Sequence, residues 1–211
     1  MSSELHHKIL RAVSPFDEGV SPLKLNVLHN TAGGPSRPNR TAAVLVPVLD
    51  KPEPEILLTV RSKLLLQHPG QVSFPGGAVD RNDRSAVSTA LREAEEEIGL
   101  DFSQVSPLGF LDRVDTISDY RVLPVVGLIR PSFVWKPDLR EVSEVFTIPL
   151  DVAIDRRKYT HRNVNHDGKI IVISSLEWKG HKVWGITAAI LLNFGSRMEA
   201  SIHDAAMISH R

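Results

Sequence analysis

The spacing of apolar positions changes several times along the chain, and each spacing predicts a different kind of element. Near the N-terminus, apolar residues recur every three or four positions and predict a short helix that carries Leu5, Ile9, Leu10 and Val13. β-prone apolar runs bounded by turn-forming residues predict strands at residues 41–49, 55–61, 71–74, 105–113, 121–129, 169–176 and 181–184. Further helices are predicted over residues 84–98 and 186–198, while residues 31–40 are typical of a loop and the chain after 199 of a weakly ordered tail.

The order of these elements predicts the fold class. Strands outnumber helices and do not alternate with them regularly, which favours an α+β sandwich over a doubly wound sheet. The helix over 84–98 has the clearest limits, because Asp83 or Ser85 can cap its start and Gly99 can end it. We expect an N-terminal helix and loop extension at residues 1–40, one domain at 41–198 and a C-terminal tail at 199–211.

The amino-acid composition and charge of the chain limit the classes of function to consider. Of 211 residues, 42% are hydrophobic and 24% charged, which is ordinary for a globular protein. Lysine plus arginine equals aspartate plus glutamate at 25 each, so we expect neither nucleic acid nor a membrane surface as a partner. The chain has no cysteine, and we saw neither a signal peptide nor a membrane span. The expected location is therefore the cytoplasm.

Four glutamates crowd the end of the helix predicted over 84–98. Glu93, Glu96 and Glu97 fall within an arc of roughly 100° of the helix, whereas Glu95 points elsewhere. Like charges at this spacing repel each other, and the partial negative charge of a helix C-terminus adds to the cost. The cluster is either a solvated acidic helix end, with Arg92 pairing to Glu96, or a site for a divalent cation.

A glycine-containing turn upstream favours the cation. Residues 74–77 read Phe-Pro-Gly-Gly, in which Gly76 and Gly77 permit backbone geometries that leave carbonyl oxygens free to face a ligand. Mg²⁺ prefers a few carboxylates, water and substrate phosphate oxygens. A glycine carbonyl beside three carboxylates therefore indicates a metal and phosphate site.

Together these segments resemble the signature of the Nudix hydrolases, G-x5-E-x7-R-E-U-x-E-E-x-G-U, where U is aliphatic. Residues 92–100 match its second half in full, while Asp83 stands at the first acidic position, followed by one extra residue before Arg92. That extra residue, with residues 57–62 and 70–77, resembles the coenzyme A pyrophosphatase branch, whose motif is L-L-T-x-R-S-x3-R-x3-G-x3-F-P-G-G. The second arginine of that motif is Leu66 here. The resemblance implies an α/β/α sandwich with a mixed β-sheet.

The resemblance also implies a reaction and the residues for it. It implies that Mg²⁺ or Mn²⁺ assists water in hydrolysing the pyrophosphate of coenzyme A or its derivatives, giving 3′,5′-adenosine bisphosphate and 4′-phosphopantetheine. The ligands that we assign to the metal are the carboxylates of Glu93, Glu96 and Glu97 and the carbonyl of Gly76. The side chain of Arg92 would orient a carboxylate.

Other assignments stay open at this point. The general base is assigned to Glu144, with Glu141 as the second choice. The expected substrate-binding residues are Arg61, Gly76 and Gly77, and Arg61 contacts either a phosphate or an acidic residue of the helix. The absence of an arginine at Leu66 favours another substrate, such as ADP-ribose, a dinucleotide or a nucleoside triphosphate. A catalytically silent nucleotide-binding module is a further alternative, and a homodimer is left open.

Overall fold

The computed structural model describes residues 3–16, 40–116, 120–166 and 169–208. The helices in these ranges are α1 (Ser3–Ala12), α2 (Ala86–Ile98), α3 (Leu150–Ile154) and α4 (Gly185–Ile208), with 3₁₀ turns at Phe102–Gln104 and Arg156–Lys158. The strands are β1 (Arg40–Leu49), β2 (Glu55–Arg61), β3 (Val72–Ser73), β4 (Gly76–Ala78), β5 (Val105–Phe110), β6 (Val114–Asp115), β7 (Tyr120–Ile129), β8 (Val142–Pro149), β9 (Thr160–His166), β10 (Lys169–Trp178) and β11 (His181–Trp184).

The larger sheet contains eight strands of the described chain and is mixed. Strand β1 pairs in parallel with β7, and the remaining pairings are antiparallel. Strands β1 and β2 pair only near the turn that joins them, through Val48 with Ile56 and Leu49 with Glu55. Beyond those pairs the two strands separate, so that β3 pairs with β2 and β4 pairs with β1. The segment that contains β3 and β4 is thereby inserted between β1 and β2.

Helices cover both faces of this sheet, because successive strand residues point to opposite sides. In β1, Ala43 and Leu45 pack in the cluster that contains the apolar stripe of α2, whereas Val46 and Val48 pack in the cluster with α1, α3 and α4. Fully burying one such side chain contributes about 1.5–3 kcal/mol. The α/β/α sandwich and the α+β class predicted from the sequence are both confirmed.

A smaller antiparallel sheet, in strand order β11-β10-β9 among the described residues, lies beside α4. Strands β10 and β11 are joined by the two-residue turn Lys179 and Gly180, and Trp178 pairs with His181 across it. This turn brings β11 close to β3. The smaller sheet therefore stands against the same edge of the sandwich that carries β2 and β8.

Most predicted elements are present, with several differences in extent. Helix α2 begins after Ser85, strands β4, β6, β8 and β9 are not predicted, and the strand predicted over 105–113 ends at Phe110. Helix α4 ends at Ile208 instead of residue 198. Residues 31–39 of the predicted loop lie outside the described residues. Within those residues, no helix has both the length and the apolar character that membrane crossing requires.

Candidate metal and phosphate site

Helix α2 is fixed at both ends, which sets the position of its glutamates. The Ser85 side chain accepts a hydrogen bond from the Ser88 N–H, and the Ser88 hydroxyl in turn accepts one from the Ser85 N–H. At the other end Gly99 adopts a left-handed conformation with φ of 69° and donates to the carbonyls of Ala94 and Glu95. Such caps contribute about 1 kcal/mol each. The last turn of α2 is therefore held in a defined orientation over the sheet.

The Gly76 and Gly77 backbone fills the space between β1 and α2. The Leu45 N–H donates to the Pro75 carbonyl at 2.8 Å, so the turn is tied into the sheet. Gly76 has φ of 157°, and a Cβ there would lie 2.6 Å from the Val44 Cα. A Cβ on Gly77 would overlap the Glu93 carboxylate. Gly76 therefore requires glycine, whereas the absence of a side chain at Gly77 makes room for the Glu93 carboxylate.

Glu97 is the most buried of the three glutamates, with 3% of the residue exposed. Burial raises the pKa of Glu97 to about 8, an effect that the charge of Arg61 and a hydrogen bond from the Gly76 backbone oppose. Among the described residues, Glu97 Oε2 is buried without a hydrogen-bond partner. An unpaired buried carboxylate oxygen is costly, so this atom has an unmet need for a proton or a cation.

Arg92 connects the other acidic side chains. Its guanidinium donates to both carboxylate oxygens of Asp83, at 3.1 and 3.0 Å, and to the Ala78 carbonyl at 3.2 Å. The same group lies 3.0 Å from Glu93 and 3.0 Å from Glu96. Hydrogen bonding to Arg92 lowers the pKa of Asp83 to about 2. Burial raises the pKa of Glu93; the charge and hydrogen bond of Arg92 oppose this shift, and the negative charges of Glu96 and Glu141 add to it. This geometry is suited to orienting Glu93 and Glu96.

Glu144 is not brought together with the helix glutamates. It pairs with Val60 across the β2–β8 ladder, and cross-strand partners share a face of the sheet. Val60 packs against the α4 side, so Glu144 faces away from α2, and its Oε1 lies 3.3 Å from His181 Nε2. Glu141 is placed differently: after burial, its negative charge is among the influences that raise the pKa of Glu97. Its position beside β2 is fixed because its carbonyl accepts from the Ser62 N–H at 2.7 Å.

The remaining candidates divide into those inside the site and those outside it. Arg61 lies in the site, since its charge acts on Glu97, and its Nε is buried with no hydrogen-bond partner among the described residues. Leu66 is fully exposed at 101%. No sequence pattern predicts a role for the Ala78 carbonyl, and the sequence predicts Asp83 only as a helix cap or as a motif position. The acidic residue at this motif position is the sequence signal for the contact between Asp83 and Arg92.

The donor chemistry fits a divalent cation. Carboxylate and carbonyl oxygens are the ligands that Mg²⁺ and Mn²⁺ prefer, and Glu97 Oε2 lacks another partner within the described chain. Among the described residues, no three His, Cys, Asp or Glu side chains lie close enough together in their present conformations to bind one ion. The glutamate side chains point in different directions: Glu96 is 57% exposed and contacts Arg92, whereas Glu97 is buried.

Comparisons with known proteins agree with this fold and motif. The profile of the NUDIX domain family matches residues 39–167. A protein of Escherichia coli K12 named uncharacterized Nudix hydrolase NudL is 43% identical over 153 residues, covering 72% of this chain and 80% of that protein. The protein of the same name from Photorhabdus laumondii is 38% identical over 161 residues, 76% of this chain and 86% of that protein. A solved Ap4A hydrolase complex from C. elegans is 21% identical, with a TM-score of 0.47 over 54% of this chain and 83% of that one. The chain belongs to the Nudix family and is a Nudix hydrolase.

Proposed function

We propose that this Nudix hydrolase cleaves the pyrophosphate bond of coenzyme A or its derivatives, giving 3′,5′-adenosine bisphosphate and 4′-phosphopantetheine. The observation that carries the phosphate chemistry is the combination of the buried Glu97 and the partly buried Arg61, each with a buried polar atom that lacks a partner in the described chain. An acidic and a basic group left unsatisfied in one site suit a cation and a phosphate respectively. The motif over residues 57–77 supports coenzyme A as the substrate.

The proposal assigns the metal ligands first. The oxygens of Glu93, Glu96, Glu97 and the Gly76 carbonyl would hold Mg²⁺ or Mn²⁺. The chemistry that such an ion supplies when bound is neutralisation of phosphate oxygens and a lower pKa for coordinated water. Arg92 keeps Glu93 and Glu96 in place through its contacts at 3.0 Å.

The substrate and the attacking water need further groups. Arg61 binds a phosphate oxygen, and the backbone of Gly76 and Gly77 lines the substrate site. We assign the general base to Glu141 in place of Glu144, because Glu141 lies near Glu93 and Glu97 whereas Glu144 faces away from α2. Glu141→Gln is therefore expected to lower kcat by about 10²–10⁴-fold.

A substrate panel tests the proposal. Coenzyme A, acetyl-coenzyme A, ADP-ribose, a dinucleotide and a nucleoside triphosphate are compared with Mg²⁺ and Mn²⁺, and phosphate products are identified. Coenzyme A compounds should give the highest kcat/KM, since specificity is a ratio of efficiencies. Glu97→Gln should abolish turnover, while Glu95→Gln, on the exposed side of the same helix turn, should not. A higher kcat/KM for ADP-ribose or a dinucleotide would overturn the coenzyme A assignment.

A second substrate class has one observation in its favour. Leu66 is fully exposed and offers no guanidinium where the coenzyme A motif has one. Another nucleoside diphosphate derivative is the alternative that the same panel detects. We further propose residues 41–198 as the catalytic domain, the cytoplasm as its location because the chain has no cysteine, and a homodimer that mass measurement in solution would test.

A further inference from the structure

A cleft of about 340 Å³ lies on the face of the sheet opposite α2. Its walls are β8 on one side and the turn between β10 and β11 on the other, and it is lined by Glu144, Phe146, Thr147, Trp178, Lys179 and His181. This volume falls within the range of small-molecule sites, about 300–1,000 Å³. The cleft is separate from the Glu93 and Glu97 site, yet it contains the acidic residue that the sequence suggested for catalysis.

Aromatic rings form the rigid part of the cleft. The rings of Phe146 and His181 stack nearly parallel, with centroids 3.9 Å apart and an angle of 11° between planes. Trp178 is held by a hydrogen bond from its Nε1 to the Thr147 carbonyl at 3.1 Å. Because each of these rings has a neighbour that fixes it, the cleft offers preorganised flat surfaces. Flat surfaces of this kind favour planar ligands.

The cation at the cleft occupies a strained backbone position. Lys179 has φ of 47° and Gly180 φ of 86°, so both turn residues are left-handed. Asn, Asp or Gly is favoured at the first of these positions, so a lysine there strains the turn. The Lys179 ammonium lies 5.4 Å from the centre of the Trp178 ring. Lys179 strains the turn but places a positive charge beside the Trp178 ring, which suggests that the cleft binds a ligand with an anionic group.

Glu144 supplies the polar recognition group. Its Oε1 contacts His181 Nε2 at 3.3 Å, and its side chain is 53% exposed, so the carboxylate can still accept hydrogen bonds. A carboxylate accepts from exocyclic amino groups of bases and cannot donate to a carbonyl. Flat rings, a carboxylate and a nearby ammonium together match a base with an amino group that is attached to a phosphate.

We propose that this cleft binds the amino-bearing base of the nucleotide substrate, with the ring stacked on His181 and Trp178 and the amino group donating to Glu144. The inference rests on the proposed function, because it assigns one end of that substrate. Glu141 immediately precedes β8 and Glu144 lies three positions further along, which corresponds to about 10 Å of extended chain. Among the described residues β8 pairs with β2 alone, so its other edge is open, and a ribose with its phosphates can pass around that edge from the cleft toward the α2 face that carries Glu97. Lys179 then neutralises a phosphate.

Binding without catalysis tests the inference independently of hydrolysis. Adenosine and inosine are titrated into the metal-free protein, and the indole N–H signals of Trp135 and Trp178 are followed by NMR. Adenosine should shift the Trp178 signal saturably and leave Trp135 unchanged. Inosine lacks the amino donor and should bind about tenfold more weakly, the loss expected when a hydrogen bond to a charged group is removed. Equal binding of the two nucleosides, or no shift at Trp178, overturns the proposal even if coenzyme A is hydrolysed.

Two variants, Glu144→Gln and Lys179→Asn, distinguish a loss of nucleotide recognition from a loss of folding stability. Glu144→Gln keeps the shape but can both accept and donate, so the preference for adenosine over inosine should fall close to one. In the hydrolysis assay the same variant should raise KM more than it lowers kcat, whereas loss of a general base would lower kcat. Lys179→Asn should raise Tm, because the turn strain is relieved, yet bind AMP several-fold more weakly. Unchanged AMP binding by Lys179→Asn, or an unchanged nucleoside preference in Glu144→Gln, contradicts the proposed contacts.

Discussion

Asp83→Asn removes one charge from the site while almost preserving its shape. The Asp83 carboxylate accepts two hydrogen bonds from Arg92, at 3.1 and 3.0 Å, one from the Thr89 hydroxyl at 2.9 Å and one from the Asp80 N–H at 2.8 Å. Only 6% of the Asp83 side chain is exposed. These donors, with Arg92 the strongest, lower the pKa of Asp83 from 3.8 to about 2. Asparagine cannot replace the Asp83 carboxylate as a charged, bidentate acceptor for the Arg92 guanidinium.

The expected loss of stability follows from that pKa. At about 1.36 kcal/mol per unit, a depression from 3.8 to about 2 corresponds to roughly 2.5 kcal/mol. Arg92 is 31% exposed, and solvent screening reduces the free energy to about 1–2 kcal/mol. For a chain of this size, Asp83→Asn should therefore lower Tm by about 3–6 °C.

The dependence on pH provides the sharper measurement. The folded-state pKa of Asp83 lies below its ordinary value of 3.8, so its contribution is present above pH 3.8 and is lost as the pH falls toward 2. Urea unfolding of both proteins at pH 7 and pH 3 gives the difference in unfolding free energy. By pH 3 that difference should fall to about half of its value at pH 7. An equal difference at the two pH values would refute the assignment of this free energy to the Asp83 carboxylate.

A second aspartate–arginine ion pair, distant in sequence from Asp83, serves as a control that separates a loss of stability from a loss of metal-ligand orientation. Asp115 bonds to Arg121 at 3.0 Å, on strands β6 and β7. Asp83→Asn should weaken Mn²⁺ binding by about 10–100-fold, as loss of a group that orients metal ligands typically does. Asp115→Asn should lose stability but keep the Mn²⁺ affinity, measured by calorimetry. Equal effects of both variants on Mn²⁺ would show that Arg92 does not orient Glu93 and Glu96.

Two further substitutions probe the glycine turn and the packing of α4. Gly77→Ala places a Cβ into the Glu93 carboxylate, so we expect kcat/KM to fall by about 10–100-fold while circular dichroism stays unchanged; normal activity would contradict the close approach. Asn193→Leu leaves the Asp112 N–H and carboxylate without the contacts at 3.2 and 2.8 Å that Asn193 provides. Urea unfolding should show a loss of about 1–3 kcal/mol with kcat retained, and a loss of kcat at unchanged stability would be the opposite outcome.

Helix α2 could be predicted closely because its information is local. Its apolar period, its N-terminal cap and Gly99 lie within one segment, and the glutamates follow from the same period. The contact between Arg92 and Glu96 was also accessible, since residues four apart on a helix are neighbours. The interaction of Arg92 with Ala78 was not accessible, because it depends on where the β4 segment enters the sheet.

Strand β8 shows what sequence spacing cannot supply. Its burial does not alternate cleanly, and it contains polar residues at several exposed positions, so the period of two is weak. The face on which Glu144 lies is set by its pairing with Val60, more than eighty positions away, and a bulge shifts the register between Val60 and Arg61. Glu141 lies just before β8 and outside this alternation. The choice between the two glutamates is thus a question of register, which local sequence does not determine.

Glu97 illustrates how the site opposes the stability of the fold. Its buried Oε2 has no partner among the described residues, so replacing the carboxylate by an uncharged amide should stabilise the metal-free protein by about 1–3 kcal/mol. In wild type, Mn²⁺ at 100 times its Kd should add about 2.7 kcal/mol, a rise of roughly 5–10 °C in Tm. Glu97→Gln should begin with a higher Tm in EDTA and gain little from Mn²⁺, while Glu95→Gln, on the exposed side of the helix, should behave as wild type. A lower Tm for Glu97→Gln in EDTA would mean that Arg61 and Gly76 already satisfy the carboxylate, and the cation would then not be needed to explain its burial.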